Sequence, residues 1–296
     1  MALITREKNG MLMTFKPSSI PTTTGTTPHA LTEQIVETFP KQLLIKGFKE
    51  NEGGLLYRLD TNTSGLVLFA LEQSVFDQFA ADSKAQLVQK HYLAYVQGKV
   101  LDARGVIDFP IGHHTRNQRK MVAQLEQSQK ARSQWRAATT RYQVLEHDHK
   151  GNTWLQVTIT LGSRHQIRVH CAAIGHPLVN DDLYNPQAIP GLEMLLRCQR
   201  VEWPRKNQIF DLTELALTQE DAKPFPTFGF GRTGSALLAC GCHDSIAYDV
   251  PHTCRHHCCH HCVLDATLGK QQQVAIRHWV PRWRTSRLGP GLLHAL

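Results

Sequence analysis

The sequence predicts an α+β fold, built on a largely antiparallel or mixed sheet with flanking helices. Segments with the alternation of a strand, such as residues 154–159, occur together with segments with helical spacing, such as residues 31–39. The two types do not alternate with a regular period, which argues against a parallel sheet of repeated strand–helix units. Apolar residues make up 41% of the 296 positions, enough to bury a sizeable core.

The N-terminal part is predicted to contain two strands and two helices. Residues 10–16 form an apolar run typical of a short strand, and the Ser-, Thr- and Pro-rich residues 17–28 are typical of a loop. A second helix is predicted over residues 74–86, beginning at a serine with a capping-type acid three residues later. Its buried stripe is expected to contain Val75, Phe76, Phe79 and Ala80. Residues 92–97 then predict a buried strand.

The middle of the chain is predicted to be rich in strands. Residues 98–105 indicate a turn, and residues 106–111 a short strand. Residues 113–121 are polar and basic without apolar periodicity, which is typical of an exposed loop or hairpin. Strands are also expected over residues 137–146 and 153–161.

The chain is basic, with a formal charge of +8 and a pI near 9.1. The first 212 residues hold 25 basic and 19 acidic side chains, and the remainder holds 8 and 6, so most of the excess lies in the first part. Such a surplus suits a polyanionic partner such as nucleic acid. Simple solubility is the alternative explanation of the charge.

No stretch approaches the roughly 20 apolar residues that a membrane-spanning helix needs, and the first residues lack the apolar core of a signal peptide. A soluble, cytoplasmic protein with no membrane partner is therefore expected. Only Cys171 and Cys198 occur before residue 213, so nothing in that part indicates a disulfide framework.

Two runs carry the strongest chemical signal. Residues 57–66 read Tyr-Arg-Leu-Asp-Thr-Asn-Thr-Ser-Gly-Leu, in which Leu59 can anchor the segment in the core while Asp60 begins a polar turn at the mouth of a cleft. Residues 162–170 read Gly-Ser-Arg-His-Gln-Ile-Arg-Val-His and supply cations that favour an ionised carboxylate.

Together these runs resemble two blocks of the RluA-type pseudouridine synthases, which convert uridine in RNA to pseudouridine. Between them, Lys-His-Tyr-Leu-Ala-Tyr-Val-Gln-Gly at residues 90–98 resembles a third block, and residues 174–184 resemble a fourth. The four blocks occur in the family's order. The resemblance extends from Phe15-Lys16-Pro17 to about residue 212, which predicts a catalytic domain over residues 1–212.

The resemblance implies a central RNA-binding cleft with three catalytic residues. Asp60 matches the family's aspartate, which either attacks the ribose anomeric carbon or assists proton removal from the sugar. Arg168 is expected to pair with this aspartate and keep its pKa low. Tyr92 matches the tyrosine that packs against the target base. The reaction requires no cofactor and no metal.

Further residues are predicted to bind RNA or to support the site. Of these, His165 and Gln166 are expected to be scaffold, and for the loop at residues 113–121 a purely solvated role is equally open. The chain departs from the family at Tyr57, where histidine is usual, and at Ser163-Arg164, where the arginine usually comes one position earlier. The full set is Arg58, Lys16, Arg164, His165, Gln166, Arg116, Arg119 and Lys120.

Residues 213–296 are predicted to be an atypical C-terminal extension. Six Cys and six His crowd residues 240–262, and zinc prefers such ligands, but their spacings match no regular zinc finger. An extension without a fold of its own is the alternative to a metal site. The zinc candidates are Cys254, Cys258, Cys259 and Cys262.

The sequence thus predicts a monomeric enzyme that isomerises uridines of ribosomal or transfer RNA. Such a site reaches a uracil only when the nucleotide is extruded, so unpaired uridines are the favoured targets. The first alternative is an RNA-binding module with the same fold and impaired catalysis. The second makes the extension a metal-dependent interaction module.

Overall fold

The computed structural model describes residues 3–25, 29–222, 225–226, 229–230 and 236–237. All of them lie in the first of the two units into which the chain divides, Met1–Gly241. None of the helices in these ranges combines the length and apolarity that crossing a bilayer requires.

Most strands join one nine-stranded sheet, in the order β1-β2-β3-β10-β4-β9-β8-β5, with β11 pairing to β10 beyond the end of β3. Every pair in this sheet is antiparallel except β3 with β10. A separate hairpin joins β6 to β7, and a short pair joins β12 to β13. The strands are β1 Thr5–Lys8, β2 Met11–Lys16, β3 Ser64–Ala70, β4 Gln89–Val96, β5 Arg104–Ile107, β6 Ile111–His113, β7 Met121–Ala123, β8 Thr140–His147, β9 Thr153–Ile159, β10 Leu196–Trp203, β11 Gln208–Asp211, β12 Gly229–Phe230 and β13 Ala236–Leu237.

Within the described residues, four α-helices accompany the sheet: α1 Leu31–Thr38, α2 Gln73–Lys84, α3 Gln166–Ala173 and the single turn α4 Gln219–Ala222. Short 3₁₀ turns occupy Pro40–Leu44, Pro204–Lys206 and Leu212–Glu214. The predicted α+β fold on a mixed, mainly antiparallel sheet is confirmed.

Two local predictions are wrong. The apolar residues 106–111 do not form one strand, because β5 ends at Ile107 and β6 begins at Ile111 in the separate hairpin. Pro110 lies between them and has no N–H to donate to a ladder. Helix α2 begins at Gln73 rather than at a Ser74 cap, and its N-cap residue Glu72 makes no capping side-chain bond.

The core lies where α2 packs on the middle of the sheet. Strands β2 and β3 are buried along their whole length. Phe76 and Phe79 are the buried apolar residues of α2, whereas Val75 and Ala80 are only partly buried. The Phe79 ring meets the Trp203 ring edge-on at 5.2 Å, and the Trp203 indole N–H donates to the buried carboxylate of Asp82 at 2.7 Å.

The close contact between β3 and β10 depends on Gly65. Its φ is +124°, and a Cβ placed there would lie 2.3 Å from the Cys198 carbonyl oxygen and 2.5 Å from the Cys198 nitrogen. Cys198 is the register partner of Gly65 on one side and of Tyr92 on the other. Gly65 therefore lets the strand that follows Asp60 approach the strand next to Tyr92.

We expect Gly65→Ala to lower the free energy of unfolding by at least the 1–3 kcal/mol or so that a strained backbone costs, because the new Cβ overlaps backbone atoms. Gly151→Ala is the matched control, since Gly151 also has positive φ (+77°) but a Cβ there would meet nothing within 4 Å. Urea denaturation of both variants measures the difference. Equal losses in the two variants would show that the overlap is relieved at no cost.

Candidate active site

A cavity of about 740 Å³ opens between the turn after Leu59 and the N-terminus of α3. Asp60, Tyr92 and Arg168 all line it, so the three residues predicted to be catalytic come together. Of the predicted supporting residues, five line the cavity: Arg58, Arg119, Arg164, His165 and Gln166. Lys16, Arg116 and Lys120 lie outside this lining.

Hydrogen bonds of the residue before Asp60 and of the turn after it fix the position of Asp60. Leu59 is buried, and its backbone makes two hydrogen bonds to the Thr22 hydroxyl, which donates to the Leu59 carbonyl at 2.7 Å and accepts from its N–H at 3.1 Å. The Thr63 N–H then donates to the Asp60 carbonyl at 3.0 Å, closing the turn. The Asp60 side chain remains 27% exposed and faces the cavity.

Lys16 supports this turn from inside the protein. Its side chain is fully buried, and its ammonium donates to the carbonyl oxygens of Pro17, Ile20 and Thr61 at 2.8, 2.7 and 3.0 Å. Burial lowers the pKa of Lys16 to about 7, while the nearby Asp60 carboxylate opposes this shift. Lys16 can therefore support the site from inside the protein, but it cannot contact RNA, because no part of it reaches the surface.

Arg168 lies in the first turn of α3, after a tightly held loop. His165 has a left-handed φ of 55°, and the Gln166 side chain accepts from the Ser163 N–H and donates to the Thr139 carbonyl. From this position the buried Arg168 directs its Nη1 toward the Asp60 carboxylate, with 3.9 Å between Nη1 and Oδ2. Its stronger bonds go elsewhere, to Asp181, at 2.7 Å from Nε and 2.6 Å from Nη2.

The pKa of Asp60 is raised above its ordinary value, because burial disfavours the charged carboxylate. The Arg168 guanidinium opposes the shift most, followed by Arg164 and Lys16, whereas the Asp181 carboxylate adds to it. The expectation of a low pKa is therefore wrong, because burial outweighs the lowering effect of Arg168. Arg168 is also paired with Asp181, and its distance to Asp60 exceeds that of a hydrogen bond.

Tyr92 lines the cavity from β4. Burial raises its pKa well above 10, with further contributions from Cys198 and Asp60. The phenol therefore keeps its proton at physiological pH. Tyr57, which replaces the usual histidine, donates to the Leu66 carbonyl at 2.8 Å and lies under Lys90, whose Nζ is 5.5 Å from the ring centre.

His165 joins α3 to the hairpin β6–β7 through Tyr184. The Tyr184 hydroxyl accepts from the Met121 N–H at 2.8 Å and forms a hydrogen bond with His165 Nδ1 at 2.9 Å. Burial, with Arg168 and Arg164 nearby, lowers the pKa of His165 to about 3, so the ring is neutral. These contacts place His165 in the scaffold of the site.

The predicted RNA-binding cations differ in position. Arg119 lies at the cavity, with its Nη2 3.6 Å from Asp182 Oδ2, although both side chains are largely exposed. The Lys120 Nζ lies 5.9 Å from the centre of the Tyr184 ring. Arg116 is exposed on the β6–β7 loop, away from the cavity lining. Arg58 and Arg164 are exposed and line the cavity from the two motif runs.

Sequence reasoning assigned no role to Asp181 and Tyr184. Both stand in the fourth block, residues 174–184, where two consecutive acidic residues precede the tyrosine by two and three positions. This block was the feature of the sequence that could have indicated a role for them. The arginine that Asp181 pairs with is 13 residues away in sequence, and the sequence alone offers several candidates for it.

The zinc candidates Cys254, Cys258, Cys259 and Cys262 lie outside the described residues. Within the part of the chain that is described, no group of three or more His, Cys, Asp or Glu side chains is arranged to hold a metal ion.

Known RNA pseudouridylate synthases are similar to this chain in sequence. Residues 10–173 match the family model of RNA pseudouridylate synthase. Ribosomal large subunit pseudouridine synthase D of Nitrosomonas europaea is 38% identical over 131 residues, which cover 44% of this chain and 35% of that protein. Dual-specificity RNA pseudouridine synthase RluA of Haemophilus ducreyi is 35% identical over 136 residues, or 45% of this chain and 58% of that protein. The match thus spans between one third and three fifths of these relatives.

Solved structures share the fold. Human RNA pseudouridylate synthase domain containing 1 superposes with a TM-score of 0.57 at 24% identity, covering 71% of this chain and 82% of that one. Human RNA pseudouridylate synthase domain containing 4 gives 0.54 at 19% identity, covering 73% and 87%. Since the family match spans more than half of the sequence and includes Asp60, Tyr92 and Arg168, the chain belongs to the RNA pseudouridylate synthase family.

Proposed function

We propose that this chain converts uridine to pseudouridine in ribosomal or transfer RNA, with Asp60 as the catalytic carboxylate. The observation that carries the proposal is the convergence of Asp60, Arg168 and Tyr92 on one polar cavity at the surface. The names of its relatives support the substrate class, since one is a ribosomal large subunit enzyme and another a dual-specificity RNA enzyme.

The reaction breaks the bond between ribose C1′ and uracil N1, and forms a bond between C1′ and C5. The proton on C5 is lost and N1 gains one, so atoms and electrons balance within the nucleotide. Asp60 must be ionised to assist at the sugar, either at C1′ or by removing a sugar proton. Arg168 Nη1, at 3.9 Å in the free protein, is near enough to tighten onto this carboxylate when substrate binds.

Tyr92 contributes a fixed apolar surface and a protonated hydroxyl. Its ring is nearly buried in β4 and can change position little, so we assign it the packing of the extruded base. Burial raises the pKa of Tyr92, so its hydroxyl keeps its proton at neutral pH.

Cations at and near the cavity suit the phosphates of a structured RNA. Arg58, Arg164 and Arg119 are exposed and line the cavity, and Arg116 and Lys120 belong to the same hairpin loop as Arg119. Phosphate contacts of this kind supply affinity and orientation rather than base recognition. The target uridine must leave its stack to enter the cavity, so an unpaired uridine is the least costly substrate.

We assign this activity to residues 1–212, which hold every residue given a role above. Leu215 and Phe225 also pack on this part, and the Phe225 ring centre lies 3.9 Å from the Arg197 guanidinium. A shortened protein for assays should therefore keep residues through 226.

The direct test uses unmodified transcripts of ribosomal and transfer RNA, incubated with the full-length chain. Pseudouridine is measured by nuclease digestion and liquid chromatography, and its position by carbodiimide labelling and primer extension. Product with the wild type and none with Asp60→Ala supports the proposal. Binding without product in both proteins would instead support an RNA-binding module, because affinity that rests on phosphate contacts survives Asp60→Ala.

Arg164→Gln is expected to move the acidic limb of the pH profile of kcat/KM to higher pH. Arg164 helps to lower the pKa of Asp60, so its loss leaves the carboxyl protonated at a higher pH, and the active ionised form disappears earlier as pH falls. Profiles between about pH 4.5 and 8 measure the shift. The control is Arg141→Gln, an exposed arginine of β8 outside the cavity lining, and an equal shift in this variant would contradict the assignment.

A further inference from the structure

Asp181 is the main ionic partner of Arg168. It is fully buried, and its carboxylate accepts four hydrogen bonds. Two come from Arg168, from Nε at 2.7 Å and Nη2 at 2.6 Å. The others come from the backbone N–H groups of Leu183 at 3.0 Å and Tyr184 at 3.2 Å. These four contacts fix the orientation of the carboxylate.

The segment that carries Asp181 is itself anchored to β4. The Gln97 N–H donates to the Pro177 carbonyl at 2.8 Å, and the Val179 N–H donates to the Tyr95 carbonyl at 2.9 Å. Between these bonds, residue 178 forms an isolated bridge with residue 96. Asp181 is thus held by the end of the same strand that carries Tyr92.

This arrangement determines where the Arg168 guanidinium points. The group is planar, so binding Nε and Nη2 along one edge also fixes the direction of Nη1. The Tyr184 ring, 5.3 Å from the guanidinium carbon, limits its movement on one face. Nη1 therefore points toward Asp60, with 3.9 Å between Nη1 and Oδ2. This distance is too long for the contact to orient the guanidinium by itself.

We propose that Asp181 is a positioning residue for isomerisation: it holds Arg168 so that Nη1 faces Asp60, and it acts through Arg168 without touching the RNA. The inference rests on the proposed function. A buried ion pair that serves only stability is the alternative, and the Arg200–Asp211 pair, with Nε to Oδ2 at 2.7 Å, offers such a comparison outside the cavity lining.

The first test is kinetic. Asp181→Asn keeps the shape of the side chain but weakens its hold on Arg168, and kcat is expected to fall on the order of 10²-fold, the effect of a misplaced catalytic group. KM is expected to stay within about threefold, because Asp181 does not contact substrate. Asp211→Asn is expected to lose stability while keeping kcat. An unchanged kcat in Asp181→Asn, or an equal fall in Asp211→Asn, would overturn the proposal.

The second test does not depend on activity. Nitrogen-15 NMR of the arginine side chains follows the Arg168 Nε–H, assigned by its absence in Arg168→Lys. Its exchange with water is expected to be slow in the wild type and in Asp60→Asn, and fast in Asp181→Asn. Loss of protection in Asp60→Asn would show that Asp60 orients Arg168, and it decides the matter even where Asp181→Asn fails to fold. If the wild type forms no pseudouridine, the proposed function is refuted. The NMR measurement still tests whether Asp181 orients Arg168, because it does not depend on activity.

Discussion

Asp60→Asn is expected to abolish pseudouridine formation and to raise the thermal stability of the protein at neutral pH. The loss of activity should exceed about 10³-fold, because an amide neither attacks nor removes a proton. The gain in stability follows from the raised pKa of Asp60. Burial penalises its charge in the folded state, and no such penalty acts in the unfolded chain.

The sign of the pH dependence follows from linkage. Above the folded-state pKa of Asp60, the wild type carries a partly buried charge that the amide variant lacks, so the variant is the more stable protein. As pH falls through that pKa, the folded wild type takes up a proton and the difference disappears. Thermal melts between about pH 3.5 and 8 measure this difference in stability. Asp102→Asn, which alters an exposed carboxylate, is the control. A variant less stable than the wild type at neutral pH would show that the Asp60 charge contributes to folding.

Arg168→Met is expected to lose both activity and stability. Asp181 has no exposed surface, and removing its partner leaves a buried carboxylate with only backbone donors. Breaking a buried ion pair in this way typically costs about 3–5 kcal/mol. Urea denaturation measures the free energy of unfolding, and the pseudouridine assay measures the activity.

Two further variants separate the causes. Arg168→Met with Asp181→Leu removes both charges and is expected to recover much of the lost stability while staying inactive. Arg200→Met breaks the pair with Asp211, outside the cavity lining, and is expected to keep activity. If Arg168→Met lowers the free energy of unfolding by less than about 1 kcal/mol, the Arg168–Asp181 pair contributes no more than an ion pair on a protein surface.

The sequence allowed the fold class to be predicted, and the three residues that it proposed as catalytic lie together at one cavity, because both predictions depend on local patterns. Apolar spacing located the buried strands, and ordered motif blocks located Asp60, Tyr92 and Arg168. The predictions that were wrong concern the burial of side chains and contacts between residues that are far apart in sequence. The burial that raises the pKa of Asp60 and the complete enclosure of Lys16 arise only when the loops pack.

The pairing of Arg168 illustrates the same limit. Its motif predicted a basic side chain near Asp60, but Asp181 reaches it only because the segment after α3 adds to the end of β4. Likewise, the interruption of residues 106–111 was visible in Pro110, yet its consequence, a hairpin separate from the main sheet, required the tertiary structure.

The register partners of Cys198 have a consequence for how such an enzyme can diverge. Gly65 and Tyr92 flank Cys198 on neighbouring strands, so the spacing between the carboxylate turn and the tyrosine is set by main-chain geometry in the middle of the sheet. The β6–β7 hairpin belongs to a different ladder. If the proposed function holds, changes in the length or charge of its loop can therefore alter which RNA is bound without altering the spacing between Asp60 and Tyr92.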